Sequence, residues 1–277
     1  MAIIPSFYLD AVVAIGIQLP DGNKHWIGTG FIVGRKEDID KSLSTCYLIT
    51  NKHVFENQKE VLFRFNSKNG NTSRDYAVPL YNNNIPCFSV HPNPKIDIVA
   101  IQLNPQTLIS DNSAWGAFDL EDNALTLAQM QNTGVEEGNL VYALGFPMNL
   151  VEDIKTPICR LGCISRIRNA FLDKTGNTTF LVDAEVFPGN SGGPIVNRPE
   201  MLSIEGTPSN SNANLIGSLS AYIPYENVLI SQQTGKPQMI QTENSGLTIV
   251  YSVDKIKEVV ELEHTRTTKL QSNGNQI

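Results

Sequence analysis

The chain has 277 residues, 41% of them hydrophobic and 18% charged, so it is long and apolar enough to bury one large core or two smaller ones. Its formal net charge of −7, and the lack of any long run of Lys or Arg, exclude a nucleic-acid partner held by its phosphates. The first apolar run, Ala11 to Ile17, is far shorter than the ~20 residues that cross a bilayer, and we predict no membrane anchor and no signal peptide.

Short apolar segments rich in β-branched residues recur along the chain, with turn residues between them. They fall into two groups, so we predict an all-β fold of two packed antiparallel six-stranded β-barrels. The predicted N-terminal barrel covers 1–104, a polar connection covers 105–134, and the C-terminal barrel covers 135–252. Apolar residues at helical spacing predict a C-terminal α-helix over 253–262, followed by a polar tail over 263–277.

The first candidate for chemistry is His53, in the stretch Ile49-Thr50-Asn51-Lys52-His53-Val54. It follows an apolar predicted strand and opens a short turn, which would place its ring at the rim of a barrel. A surface histidine at a strand end is the simpler alternative. His91 competes as a base, but its neighbours Pro92 and Pro94 indicate a rigid loop, and we favour His53.

Asp97 precedes the apolar strand predicted over Ile98 to Leu103, so its carboxylate enters the interior and needs hydrogen bonds there. The alternative is that it caps the start of the strand. Ser191 lies in Pro188-Gly189-Asn190-Ser191-Gly192-Gly193-Pro194, which also suits an ordinary turn. Gly189, however, can direct its N–H into the same cavity as the N–H of Ser191, where the pair would bind an oxyanion.

The three residues together are more specific than each alone. A serine hydroxyl is a poor nucleophile at neutral pH, and it needs a base for its proton and a carboxylate that orients the base. Here 44 residues separate His53 from Asp97, and 94 separate Asp97 from Ser191.

In this order and spacing, the stretches resemble the chymotrypsin-fold (trypsin-like) serine proteases. Other matches are Gly28-Thr29-Gly30-Phe31-Ile32-Val33-Gly34 before the His, His91-Pro92 before the Asp, and Ile216-Gly217-Ser218-Leu219-Ser220 after the Ser. Gly-Asn-Ser-Gly-Gly-Pro is similar to the bacterial high-temperature-requirement branch. The resemblance implies a serine endopeptidase without metal or organic cofactor, which cuts protein or peptide substrates through an acyl-enzyme.

The resemblance also implies where the substrate binds. Glu185 falls six residues before Ser191, where trypsin carries the acid that receives Lys or Arg, so cleavage after basic residues is one expectation. The alternative is that Glu185 faces outward, because one residue of register reverses the side. Ser220, Ala221 and Tyr222 are expected to form the edge on which a substrate peptide adds as a strand, and Tyr222 stands where digestive enzymes keep a glycine.

The four cysteines, Cys46, Cys87, Cys159 and Cys163, are predicted to be free thiols of a cytoplasmic protein. No further ligands lie close enough to Cys159 and Cys163 to predict a zinc site. Secreted members of the family are activated when a freed N-terminus pairs with the Asp before the catalytic Ser. Asn190 holds that position here and has no charge, so we do not expect this activation. We expect instead that rotation of the peptide between Pro188 and Gly189, or a protein partner, restrains the enzyme.

Two other functions remain open from the sequence. One is a protease effector subunit of a larger bacterial defence or signalling assembly, gated by another subunit. The other is a non-catalytic module that keeps the fold and binds peptides in its cleft.

Overall fold

The structure, a computed structural model, describes residues 4–150, 156–173, 179–200, 209–231 and 233–274. It confirms the predicted fold class, since the chain is mostly β, with two sheet-based units and a C-terminal helix. None of the described helices has the length and apolar character that crossing a membrane requires.

The N-terminal unit is an eight-stranded sheet whose central strand is also its longest. The strands follow the order β5-β4-β1-β2-β3-β9-β8, and β10 adds to β2 in parallel, while β6 and β7 form a separate small hairpin. The elements are α1 (Ser6–Asp10), β1 (Val12–Gln18), β2 (Lys24–Lys36), β3 (Ser44–Thr50), α2 (Lys52–Phe55), β4 (Glu60–Asn66), β5 (Ser73–Pro79), β6 (Tyr81–Asn82), β7 (Ile85–Pro86), β8 (Ser89–Val90) and β9 (Val99–Leu103).

This sheet corrects the prediction of a closed, six-stranded N-terminal barrel in two details, since it has eight strands and is not closed. Its hydrogen-bonded order begins at β5 and ends at β8, and no described strand joins the two ends. β8 is only two residues long, with Pro86 and Pro92 close on either side. Proline has no N–H with which to extend a ladder, so the sheet stops there.

The predicted connection over 105–134 contains regular structure of its own. Its elements are α3 (Pro105–Ser110), β10 (Phe118–Asp119) and α4 (Leu127–Thr133). Thr126 and Gln129 form a capping box at the start of α4, and Gly134 ends that helix in the left-handed conformation.

The C-terminal unit is a closed six-stranded barrel in the order β11-β12-β13-β16-β15-β14. β15 and β16 are far longer than the other strands and extend together beyond the barrel. The elements are β11 (Leu140–Gly145), a 3₁₀ turn (Pro147–Asn149), β12 (Ile158–Arg166), α5 (Arg168–Leu172), β13 (Thr179–Asp183), β14 (Pro194–Asn197), β15 (Leu215–Ile230) and β16 (Pro237–Ser252).

The C-terminal helix α6 runs from Val253 to Gly274, so the prediction of a helix that stops at 262 is wrong. The predicted polar tail over 263–277 is helical as far as Gly274, and its last three residues lie outside the described part. The reason is Glu263, whose fully buried carboxylate accepts hydrogen bonds from Ser89 Oγ at 2.7 Å and from Arg266 Nη2 at 2.7 Å. These hydrogen bonds satisfy the buried carboxylate, so the polar segment continues as a helix packed against the N-terminal sheet.

One hydrophobic core joins the two units and fixes how they meet. Phe31, Tyr47 and Ile98 of the N-terminal sheet pack in the same buried cluster as Phe146 and Tyr251 of the C-terminal barrel. Each unit also has its own interior cluster. The candidate site therefore lies between two units that share a buried apolar core.

Candidate active site

His53 lies on the single helical turn α2, directly after β3. Val54 and Phe55 of this turn are buried, and Val54 packs against Gly28, where any side chain would collide with it. These anchors leave the His53 side chain 44% exposed at the rim of the groove.

Asp97 contacts His53 through both carboxylate oxygens. Its Oδ2 lies 2.5 Å from His53 Nδ1, and its Oδ1 accepts the His53 backbone N–H at 3.1 Å. Asn51 Nδ2 adds a hydrogen bond of 2.6 Å to the backbone carbonyl of Asp97. This geometry assigns the imidazole proton to Nδ1 and leaves the lone pair of Nε2 free to accept one.

His91 faces away from Asp97 and holds the loop that carries it. Its buried ring accepts the Asn93 N–H on Nδ1 at 3.1 Å, and its Nε2 lies 2.8 Å from Glu258 Oε2 on α6. Burial opposes the charge of Glu258, but hydrogen bonds from Lys255 and His91 outweigh it and hold the pKa of that carboxyl below its usual value. Both ring nitrogens of His91 are thus occupied by contacts that stabilise the loop.

Ser191 lies in a tight turn shaped by glycines. Gly189 has a φ of +100° and Gly192 a φ of +83°, a region that L side chains rarely adopt. The turn is closed by Asn190 N–H to the Phe187 carbonyl at 3.0 Å and by Gly193 N–H to the Asn190 carbonyl at 2.9 Å. A Cβ at Gly192 would collide with Thr50 Oγ1 and approach the backbone N of Asn51, so the turn lies against the residues that precede His53.

Thr29 of β2 ties this turn to the N-terminal sheet. Its N–H donates to the Ser191 carbonyl at 3.0 Å, and its Oγ1 donates to the Gly189 carbonyl at 2.6 Å. The same Oγ1 accepts the Phe146 N–H at 3.0 Å, and the Thr29 carbonyl accepts from Thr50 Oγ1 at 2.7 Å. One side chain therefore links the two units at the point where the candidate residues meet.

The N–H groups of Gly189 and Ser191 donate to no acceptor among the described residues. The Pro188 carbonyl accepts the Met148 N–H at 2.7 Å. In a trans peptide the carbonyl and the next N–H point in opposite directions, so this bond turns the Gly189 N–H away from Met148. Restraint by rotation of the Pro188–Gly189 peptide stays a prediction.

The turn that carries Ser191 lies against Thr50 and Asn51, which precede His53, and no hydrogen bond joins the side chains of Ser191 and His53. Within the described part of the chain, neither Ser191 Oγ nor His53 Nε2 has a partner. Such bonds are often long before substrate binds and tighten in the occupied site.

Glu185 lies on the outside of the C-terminal barrel, with 77% of its side chain exposed. Its nearest charged contact is Arg160, whose Nη1 lies 3.7 Å from the carboxylate. The flanking Ala184 and Val186 are buried, as the two-residue period of extended backbone requires. In this orientation Glu185 does not enter the groove, and the structure offers no support for a pocket that binds Lys or Arg through it.

Ser220, Ala221 and Tyr222 lie in β15 directly after Leu219, the residue that contacts the Ser191 turn. Leu219 exchanges backbone hydrogen bonds with that turn, to the Gly193 carbonyl at 2.8 Å and from the Gly192 N–H at 3.0 Å. The pairing of β15 with β16 is irregular between Leu219 and Tyr222, so the predicted substrate edge coincides with a break in the ladder. Tyr222 is half-buried against the barrel core.

All four cysteines are free thiols. Burial raises the pKa of the Cys46 thiol to about 11 and also raises that of Cys159. Among the described residues, no group of His, Cys, Asp or Glu has the arrangement of a metal site.

The comparisons with known proteins place this geometry in a family. A model of the trypsin-like peptidase domain matches residues 28–200, which is more than half of the chain. The chain therefore belongs to the trypsin-like peptidase domain family. No curated protein matches it.

The chain is also similar to two solved protease structures. The MamO protease domain from Magnetospirillum magneticum, in its apo form, is 18% identical over 91% of this chain and 96% of that chain, with a TM-score of 0.48. The Rv3671c protease, in its inactive form, is 15% identical over 92% of this chain and 87% of that chain, with a TM-score of 0.43.

Sequence reasoning missed three contributors to the site. Thr29 was inside a stretch already singled out, and its position between two glycines was a signal that backbone approaches it closely. Asn51 precedes His53 directly, but nothing local predicts its bond to the Asp97 backbone. The Met148 bond to Pro188 depends on a loop whose conformation has no sequence signal of its own.

Proposed function

We propose that this chain is a serine endopeptidase that hydrolyses peptide bonds of proteins in the groove between its two units. The observation that carries the proposal is the pairing of His53 with Asp97 beside a glycine turn that leaves two N–H groups without protein acceptors. A peptidase needs this combination of an oriented base and two aligned donors.

In the proposed reaction, Ser191 Oγ attacks the scissile carbonyl carbon while its proton passes to His53 Nε2. Asp97 stabilises the imidazolium through Nδ1, and the Gly189 and Ser191 N–H groups bind the developing oxyanion. His53 then gives the proton to the leaving amine, which completes the acyl-enzyme. Water attacks this ester with His53 as base again, and the new carboxyl product and free Ser191 result.

The substrate peptide is proposed to add beside Ser220, Ala221 and Tyr222. An extended peptide gains its affinity there from backbone hydrogen bonds, while pockets for alternate side chains give specificity. The shift in register between Leu219 and Tyr222 supports the assignment, because Ser220 and Ala221 have no residue of β16 directly opposite them.

A peptide library with mass-spectrometric reading of new termini tests the proposal. We expect the purified chain to cleave the library and Ser191→Ala to lose this activity. Ser272→Ala, an exposed serine on α6 far along the chain, serves as the matched control and should cleave like the unchanged chain. Binding of peptides without any cleavage, by the chain alone and with cell extract, would favour a non-catalytic peptide-binding module.

We further propose that the protein acts in the cytoplasm and that a protein partner regulates it, as an effector subunit of a larger assembly would require. The free thiols support the first part. Such a partner would restrain the enzyme by limiting access to the groove, or by rotating the Pro188–Gly189 peptide so that one donor to the oxyanion is lost. Cleavage that is low with the purified chain and rises sharply in extract would support this; equal cleavage in both would contradict it.

A further inference from the structure

The loop from His91 to Asp97 carries the candidate carboxylate to the groove, and it has few backbone donors. Pro92 and Pro94 have no N–H with which to join a strand ladder. At its ends the loop is closed by the His91 N–H, which donates to the Ile98 carbonyl at 3.0 Å. Between these ends its conformation, and with it the place of Asp97, depends on side chains.

The His91 ring organises the loop from within. Its Nδ1 accepts the Asn93 N–H at 3.1 Å, a bond to the residue two positions on, as in an Asx turn. Asn93 in turn accepts the Lys95 N–H on Oδ1 at 3.0 Å and the Ile96 N–H on its carbonyl at 3.0 Å. A series of hydrogen bonds thus runs from the ring to the residue directly before Asp97.

The same ring is fixed from outside by the C-terminal helix. The Asn93 bond needs a lone pair on Nδ1, so the proton of the neutral imidazole is on Nε2. Nε2 lies 2.8 Å from Glu258 Oε2 on α6 and donates to it. The His91 side chain is 2% exposed, so water has little access to this charge-assisted bond from the side of the loop.

Glu258 is itself held in place on α6. Ile256 and Val260 of this helix are buried in the same cluster as Ile98, which follows Asp97. Lys255 donates to Glu258 Oε1 at 2.6 Å and so leaves Oε2 to the imidazole. The helix is therefore a fixed support from which the loop can be positioned.

We propose that His91 is a positioning residue, which transmits the position of α6 through the loop to Asp97 and so to His53. In this role neither His91 nor Glu258 touches substrate or the reacting atoms. The role rests on the proposed function, because it matters for catalysis only where Asp97 orients the base. It adds that a helix of the C-terminal part of the chain controls the geometry of a carboxylate in the N-terminal part.

A small displacement of Asp97 is enough to lower the activity. Its Oδ2 lies 2.5 Å from His53 Nδ1, and a misplacement of ~1 Å in an active site can cost about 10²-fold in rate. Loss of the link to α6 leaves the bond from Asn51 to the Asp97 carbonyl in place. We therefore expect a loss of about 10-fold, smaller than that from removing the carboxylate.

Two variants cut the link from opposite ends. Glu258→Ala removes the acceptor on α6 and keeps the ring. His91→Asn removes the contact with α6, but its amide oxygen can still accept the Asn93 N–H, as asparagine does in Asx turns. Each should lower kcat on a library-derived peptide about 10-fold and leave KM within about 2-fold. The double variant should be no slower than the slower single one, because both changes cut the same link.

Glu261→Ala is the matched control. Glu261 is three residues further along α6, is 57% exposed against 48% for Glu258, and lies 2.6 Å from Arg35 of β2. Arg35 pairs with Thr45, at the end of β3 away from His53. Loss of this ion pair should change kcat and KM by less than about 2-fold. The midpoint of thermal unfolding of each variant shows how far the change destabilises the fold.

The proton between His53 and Asp97 gives a second readout that needs no turnover. A proton that a carboxylate holds on Nδ1 resonates at low field in proton NMR, and the signal is assigned by its loss in His53→Gln. Its exchange with water should be at least about 5-fold faster in Glu258→Ala and His91→Asn, because the bond to Asp97 opens more often. Glu261→Ala should exchange like the unchanged chain.

The two readouts separate failure of this role from failure of the proposed function. A chain that cleaves no peptide but shows these exchange rates would overturn the proposed function and support the link from α6 to Asp97. A peptidase in which Glu258→Ala and His91→Asn match Glu261→Ala in kcat and in exchange would overturn the positioning role alone. Losses of kcat that multiply in the double variant would also overturn it, since two independent links would then be cut.

Discussion

The two halves of the candidate site are built by different means. On the N-terminal side, His53 and Asp97 are positioned by side chains, through their own two hydrogen bonds and through Asn51. On the C-terminal side, Ser191 is positioned by backbone, through glycines with positive φ and a closed set of turn hydrogen bonds. Among the described residues, Thr29 is the one side chain of the N-terminal half that hydrogen-bonds to the turn. Substitutions in the two halves should therefore lower the activity for different structural reasons.

Asp97→Asn tests the side-chain half and should have the largest effect of the four changes below. An amide can present N–H to Nδ1 and so favour the wrong imidazole tautomer, and in a triad this costs about 10⁴-fold in rate. We expect kcat/KM on a library-derived peptide to fall by this order, with an unchanged midpoint of thermal unfolding. A loss smaller than 10-fold would show that Asp97 does not orient the base.

Gly189→Ala tests the backbone half. The φ of +100° disfavours any side chain, and the new Cβ would collide with the Phe146 carbonyl, so the turn must move and misplace an oxyanion donor. Loss of one such donor typically costs about 10²- to 10³-fold in kcat.

Gly22→Ala is the control for that change. Gly22 has a φ of +88°, but nothing lies within 4 Å of its Cβ position. It should lose some stability and no activity. Equal losses of kcat in Gly22→Ala and Gly189→Ala would contradict the conclusion that the backbone of the turn positions Ser191.

Thr29→Val tests the link between the halves. Valine keeps the shape but loses the donor to Gly189 and the acceptor for Phe146, two hydrogen bonds worth about 1 kcal/mol each, so a decrease of about 10- to 100-fold in kcat is expected. KM should change little, since Thr29 acts through the turn. Thr29→Ser restores the hydroxyl and should recover activity to within about 3-fold, whereas a merely structural role would lower the unfolding midpoint without separating kcat from KM.

Glu185→Ala should have the smallest effect. Glu185 is exposed on the outside of the barrel, and its ion pair with Arg160 contributes little free energy. Any preference for cleavage after Lys or Arg should therefore change by less than about 2-fold. Loss of that preference would mean that Glu185 turns into the groove when substrate binds.

Sequence alone predicted the features that depend on local patterns. The order of His53, Asp97 and Ser191, the closed C-terminal barrel and the start of α6 are signalled by motifs or by periodicity. The outward side of Glu185 was one of two open alternatives, because a motif at a fixed spacing does not set the strand register that decides the side.

Features that depend on distant contacts were not predicted. The second half of α6 is polar in sequence, and only the distant Ser89 makes Glu263 a buried residue. The part of β15 and β16 that extends beyond the barrel was not predicted, because these strands carry Pro224, Asn227 and Pro237, which indicate turns when read locally. Their pairing across the hairpin overrides that local tendency.

Labelling with a fluorophosphonate tests the central claim most directly, because only an activated serine reacts with such a probe at an appreciable rate. The account predicts one phosphonyl adduct, located by mass spectrometry on Ser191, that disappears in Ser191→Ala and forms far more slowly in Asp97→Asn. A folded chain that acquires no adduct under any condition, or acquires one on another residue, would contradict it.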